Sequence, residues 1–118
     1  MAGSLTPDDV FRLHQKIRWT AFSEDGKVVF CQMRPGITSY TSDAEDRAFM
    51  ELGPLIMSGV AERLTPTGGA GKLQSVVVNM EKDSVFLTKV GKGYLAISVD
   101  RAEALGVFQE IDTSIQKL

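Results

Sequence analysis

The sequence predicts a small α/β domain, and three observations carry that reading. Residues 73–100 hold three short runs rich in β-branched and aromatic residues, separated by Glu81-Lys82-Asp83-Ser84 and by Gly91-Lys92-Gly93, which is the signature of an antiparallel meander. Asp25-Gly26 lies between two further extended stretches and reads as a hairpin turn, because glycine accepts the positive φ that tight turns need. Three other segments carry apolar residues at three- and four-residue spacing behind capping residues, and these read as helices.

Thr6-Pro7-Asp8-Asp9 opens the first helix: threonine caps, proline suits the first helical position, and two aspartates complement the positive end of the dipole. Val10, Leu13 and Ile17 extend its apolar stripe over about three turns, with Phe11 and His14 beside them. From residue 17 or 18 the pattern becomes extended as far as Phe22, turns at 23–26 and returns over residues 27–33. Residues 34–41, with Pro35-Gly36, form a loop. Ser42-Asp43-Ala44-Glu45 is a capping box for a second helix running to Leu64. Its core stripe is expected to be Phe49, Leu52, Ile56, Val60 and Leu64, with Pro54 kinking it. Met50, Met57 and Ala61 form a second apolar stripe on an adjoining face. Residues 52–61 carry no charge, although a surface helix normally shows a polar side. This helix is therefore expected to be covered on two sides.

Residues 65–72 read as a mobile Thr/Pro/Gly linker into the meander of residues 73–80, 85–90 and 94–99. Asp100 then caps a final helix, with Glu103 three residues on and Leu105, Phe108, Ile111, Ile115 and Leu118 at helical spacing. The element order is helix, two strands, helix, three strands, helix, in one domain spanning residues 1–118.

Composition narrows the function classes. Thirteen basic against fifteen acidic residues leave a net charge of −2 with no basic block, so a nucleic-acid partner is not expected. The one cysteine, Cys31, cannot form an internal disulfide and sits in an apolar strand pattern, which fits a reducing, cytoplasmic setting. No stretch reaches the length needed to span a bilayer and the first residues do not form a signal peptide, so no membrane insertion is expected.

Candidate chemistry is thin. Gly68-Gly69-Ala70-Gly71-Lys72 resembles a phosphate loop only briefly: Leu73 stands where a serine or threonine would hold Mg²⁺, and the segment leaves a helix and opens a strand, the reverse of what phosphate binding needs. Gly91-Lys92-Gly93 lies between strands and is too short for a dinucleotide fingerprint. His14, the sole histidine, reads as packing rather than as a metal ligand or catalytic base. The carboxylates cluster at helix starts and turns, where capping and solvation explain them. No catalytic, metal or cofactor-binding residue is expected, and no enzyme activity. Trp19 alternates with Ile17 and Ala21, which favours sheet-face packing over a role as a partner anchor.

The element order, the Asp25-Gly26 hairpin followed by Lys27-Val28-Val29-Phe30, and the run Val90-Gly91-Lys92-Gly93-Tyr94-Leu95-Ala96-Ile97 resemble the roadblock family of dynein light chains and prokaryotic small-GTPase regulators. The resemblance covers nearly the whole chain, and profilin-like, longin and PAS-type domains share parts of the layout. It implies a three-layer α-β-β-α-β-β-β-α domain with a five-stranded antiparallel sheet in the order 2-1-5-4-3. The first and last helices would lie on one face and the middle helix on the other. It further implies a non-enzymatic homodimer, joined through middle helices and third strands, that serves as a regulator or scaffold for a small Ras-like GTPase. The dimer interface is then expected at Met50, Met57, Ala61, Val76, Val77 and Val78, where Met57→Glu should disrupt it. Trp19, Pro35 and Tyr40 are candidate partner anchors. The rival reading is a PAS-like or profilin-like sensory domain, which would need an apolar pocket with a few convergent polar groups that the sequence does not display.

Overall fold

In the computed structural model, which describes residues 4–64 and 69–118, five strands form one antiparallel sheet. They are β1 (Trp19–Glu24), β2 (Lys27–Met33), β3 (Ser75–Asn79), β4 (Asp83–Val90) and β5 (Gly93–Asp100), in the spatial order β2-β1-β5-β4-β3. The helices are α1 (Pro7–Phe11), α2 (Asp43–Leu64) and α3 (Ala104–Ile115). This is the order and topology that the resemblance implies.

Local chemistry explains most boundaries. Thr6 and Asp9 form a reciprocal capping box at α1. At α2 the Ser42 hydroxyl accepts from the Glu45 amide at 3.2 Å, while the Ser42 amide donates to the Glu45 carboxylate at 3.0 Å. Asp25 and Gly26, with φ of 54° and 76°, make the two-residue turn between β1 and β2, both in the left-handed region that matches strand twist. Gly93 is held by close packing instead: a Cβ there would collide with the Phe22 ring and lie 2.5 Å from the Ser23 carbonyl oxygen.

The two faces of the sheet bury different cores. One carries Phe22, Phe86, Leu95, Ile97 and Val99 against Val10 and Phe11 of α1 and against Val107, Phe108, Ile111 and Ile115 of α3. The other carries Trp19, Ala21, Leu87 and Ala96 against Met50 and Met57 of α2. A bulge lets β2 serve both. The register shifts between Phe22 and Ser23, leaving Val29 opposite nothing and 55 % exposed, so Val28 and Phe30 reach opposite faces.

Four expectations need correction. α1 stops after five residues rather than about three turns, because Arg34 collects the carbonyls that follow: its guanidinium donates to the backbone oxygens of Phe11, His14 and Ile17 at 2.9, 2.7 and 2.6 Å. Asp100 does not cap the last helix. Its carboxylate accepts from the Tyr40 hydroxyl at 2.8 Å and faces Arg18 at 3.6 Å, and a 3₁₀ turn (Arg101–Glu103) leads into α3 instead. Leu105 is solvent-facing, and Val107 takes its place in the α3 stripe. The two stripes of α2 are largely exchanged: Met50 and Met57 face the sheet, whereas Leu52, Ile56 and Leu64 are exposed, and of the expected core stripe Phe49 packs against that core. Of the 65–72 linker, residues 65–68 lie outside the described residues.

Candidate functional site

Two features of the α2 face stand out. The first is the outward side of α2. Leu52, Leu55 and Ile56 are 56, 68 and 44 % exposed within a stretch that holds no charged residue. Exposed leucines are ordinary singly, but three within five residues, on a helix whose inner side already packs, form a contiguous apolar patch of the kind that marks docking sites. Gly53 brings the helix down to the sheet, where a Cβ would come within 3.0 Å of the Leu87 side chain. Met50 and Met57, expected at a dimer interface, are 2 and 4 % exposed and pack against the chain's own sheet. Ala61 is half-buried. In β3, the edge strand beside β4, Val76 and Val78 pair with Leu87 and Val85 on the α2 side, and Val77 pairs with Phe86 on the other.

The second feature is a cavity of about 180 Å³ between the first turns of α2, loop 34–41 and the sheet. Trp19 and Phe49 meet edge to face across it, with ring centroids 6.5 Å apart. Met33, Val78 and Val85 complete much of its apolar wall. Tyr40 and Asp83 stand at its polar side with Arg18 and Asp46. The Arg18 guanidinium is already engaged: it lies 4.2 Å from the Tyr40 ring centroid and donates to the Thr38 carbonyl at 2.8 Å. Asp46 accepts from the Thr41 hydroxyl at 2.5 Å.

Two buried polar atoms here have no hydrogen-bond partner, Trp19 Nε1 and Asp83 Oδ1. The indole lies near enough to the Cys31 thiol to favour its thiolate, yet outside hydrogen-bond geometry, and burial still pushes that thiol up. Burial likewise pushes the Asp83 carboxyl up to about 6, against Arg18, which holds it down. The Asp46 carboxyl is also raised by burial, with the Thr41 hydroxyl opposing.

The candidate anchors divide. Trp19 is 5 % exposed and packs in the sheet core, as its alternation indicates. Pro35 is exposed, and Tyr40 is half-exposed but held at both ends, by Arg18 on its ring and Asp100 on its hydroxyl. His14 is a structural bridge: Nδ1 accepts from the Lys16 amide, so Nε2 carries the proton and meets the Glu110 carboxylate of α3 at 2.5 Å. Gly71-Lys72 lies between α2 and β3, away from any helix start; Gly68 lies outside the described residues. Among the described residues no group of three or more His, Cys, Asp or Glu side chains could hold a metal ion. No helix among them is long and apolar enough to cross a membrane. The sequence missed the cavity because Asp83 sits in what reads as a solvated turn. The one available signal was an aspartate directly preceding a strong strand.

No protein-family model matches the chain, and no curated protein matches it in sequence. Solved structures do match in shape. The roadblock/LC7 domain from Streptomyces avermitilis superposes with a TM-score of 0.64 at 17% identity, covering 90% of this chain and 88% of that one. The gliding protein MglB from Thermus thermophilus gives 0.69 at 14% identity, covering 93% and 79%. MglB of Myxococcus xanthus gives 0.65 at 17% identity, covering 90% and 85%. The chain therefore has the roadblock/LC7 fold.

Proposed function

We propose that the chain is a non-enzymatic, homodimeric interaction module that binds a small Ras-like GTPase as its regulator or scaffold. The observation that carries the dimer is the uncharged outward stripe of α2, Leu52, Leu55 and Ile56, on the same side of the sheet as the inner residues of edge strand β3. A two-fold pairing would cover the stripe with its own copy and β3 with β3, removing an exposed apolar face and an open strand edge together. The GTPase partner rests on the roadblock fold and on the family resemblance of the hairpin and meander motifs. In support, the one glycine-lysine segment resembling a phosphate loop lacks both the hydroxyl and the helix that nucleotide binding uses, so the nucleotide would come with the partner.

Light scattering tests the dimer: a mass twice the 12.9 kDa of one chain is expected at micromolar concentration, and Ile56→Glu should return it to monomer with the fold intact. Titration with GTP and Mg²⁺ should give no heat from the isolated chain. Purification from its native cell should bring down a small GTPase, identified by mass spectrometry, through the wild type and not through a variant of the exposed surface. Hydrolysis of GTP by the chain alone would refute the reading.

A further inference from the structure

Residues 34–41 form a strap between β2 and α2, and its fastenings centre on one side chain. Within the strap the Ile37 amide donates to the Arg34 carbonyl at 3.1 Å, but among the described residues no main-chain hydrogen bond joins 38–41 to a strand. Arg18 holds them instead. Its main chain is fixed, the amide donating to the Ser98 carbonyl of β5 and the carbonyl accepting from the Arg34 amide. Its guanidinium donates to the Thr38 carbonyl at 2.8 Å and lies 4.2 Å from the Tyr40 ring centroid. Further along, the Tyr40 hydroxyl donates to Asp100 and the Thr41 hydroxyl to Asp46. Beneath the strap is the cavity of about 180 Å³, with Ser39, Tyr40 and Thr41 on one side and Trp19, Phe49 and Val85 on the other. A segment tied by side chains over a hollow, without a ladder of main-chain bonds, belongs to the low end of local stability.

The clamp is also contested. Asp83 and Asp100 are register partners across β4 and β5, and Arg18 acts on both: it lies 3.6 Å from the Asp100 carboxylate and opposes the upward push that burial gives Asp83. We infer that the strap is a proton-operated latch. With Asp83 neutral, Arg18 clamps Thr38 and Tyr40 and the strap is shut; with Asp83 ionised, the guanidinium turns to that carboxylate and the strap is released. The direction follows from what each state leaves unmet. A part-buried carboxylate without a charged partner is costly, whereas the strap gives up one hydrogen bond to a neutral carbonyl and one ring contact. Charging Asp83 also sets a like charge beside Asp100, the acceptor that holds the Tyr40 hydroxyl. The groups facing Asp83 are Arg18 before β1, Asp100 of β5, Asp46 of α2 and Tyr40 of the strap itself, and of these only Arg18 favours the ionised form. With its carboxyl raised to about 6, chiefly by burial, the change falls just below neutral pH.

The sole tryptophan makes the test direct, because Trp19 lines the cavity that the strap covers. Acrylamide quenching of its fluorescence would be measured on the purified chain from about pH 4.5 to about pH 7.5 at constant ionic strength. The quenching constant should rise roughly twofold through one transition near pH 6 as the strap lets go, and the amide resonances of residues 36–41 should move with the same midpoint. Asp83→Asn, which keeps the neutral shape, should hold the low value throughout. Arg18→Gln, which removes the clamp, should give the high value throughout. Asp46→Asn should retain the transition, because Asp46 fastens Thr41 and not Arg18. A flat wild-type profile, quenching that falls as pH rises, or an unchanged transition in Asp83→Asn would each overturn the proposal, and the last comparison decides alone if Arg18→Gln does not fold. So would a midpoint that moves with protein concentration, which would place the change at a contact between copies rather than at the strap. The dimer and the GTPase partner are tested separately, and the latch stands whether or not they do.

Discussion

The two faces of the sheet are built to different standards. On the α1/α3 side, Ile17, Leu95, Ile97, Val99, Ile111 and Ile115 are at most 1 % exposed, and two helices close the layer. On the α2 side one long helix does the work of two, with methionines for anchors, a cavity at one end and apolar residues on its outer surface. Branched aliphatic residues pack into defined rotamers, whereas methionine fills irregular space and tolerates change. The lesson is a division of labour: the first face holds the fold, and the second has room to bind.

The sharpest way to break this contrast is to insert a charge on each side of α2. Met57→Glu buries a carboxylate against Leu87 and Ala96 and should cost at least about 4 kcal/mol, enough to unfold a marginal domain. Its neighbour Ile56→Glu should change the monomer's stability by less than about 0.5 kcal/mol, because that side chain faces solvent. Urea unfolding of both variants decides it, and comparable losses would mean that the inner and outer sides have been confused. Truncation compares the faces themselves. Ile111→Ala should cost about 4 kcal/mol and Met50→Ala about 2 kcal/mol, the second being smaller because the looser side can relax into the gap. Next in size is Arg34→Met, which removes the guanidinium donor from the carbonyls of Phe11, His14 and Ile17, the second of which keeps only the Ile17 amide. A loss of about 2 kcal/mol is expected, with faster amide exchange confined to residues 11–18.

These contrasts also show what could be read from the chain. The order of elements along the chain was legible through local signals that agree with one another, the Thr6 and Ser42 caps, the Asp25-Gly26 turn and the valine-rich runs, whereas the strand order and the three-layer arrangement came with the family resemblance. What failed depended on partners distant in sequence. Leu13 and Ile17 continue a helical spacing, but Arg34 draws off the carbonyls that would extend α1. Asp100 precedes a helix as a cap should, yet Tyr40 and Arg18 claim its carboxylate. In α2 both Met50-Met57 and Leu52-Ile56 are valid apolar stripes, and periodicity says that a face is buried without saying which. The bulge at Val29 leaves no mark in an unbroken Lys27-Val28-Val29-Phe30 run. The cavity was hidden for the same reason, since Trp19 of β1 and Asp83 at the start of β4 line it together only once the sheet has formed.

The smallest effect is the most specific to the α2 face. Because burial raises the Asp83 carboxyl to about 6, well above the value near 3.9 expected for the unfolded chain, the folded state binds its proton more tightly. Between about pH 4 and 6 the native protein holds that proton while the unfolded chain has released it, so stability should fall as pH rises through this window. The raised Asp46 carboxyl acts in the same direction. Asp9, lowered by its hydrogen bonds to Thr6, acts the other way, its stabilisation being lost as pH falls through the range below about 4. Asp83 is only partly buried, so screening should reduce the swing to about 1 kcal/mol. Unfolding free energies measured from pH 4 to 7 should therefore decline for the wild type, and Asp83→Asn should flatten most of that decline. A variant with an unchanged slope would mean that Asp83 is solvated in the native state, and the α2 face would then be as well satisfied as its opposite.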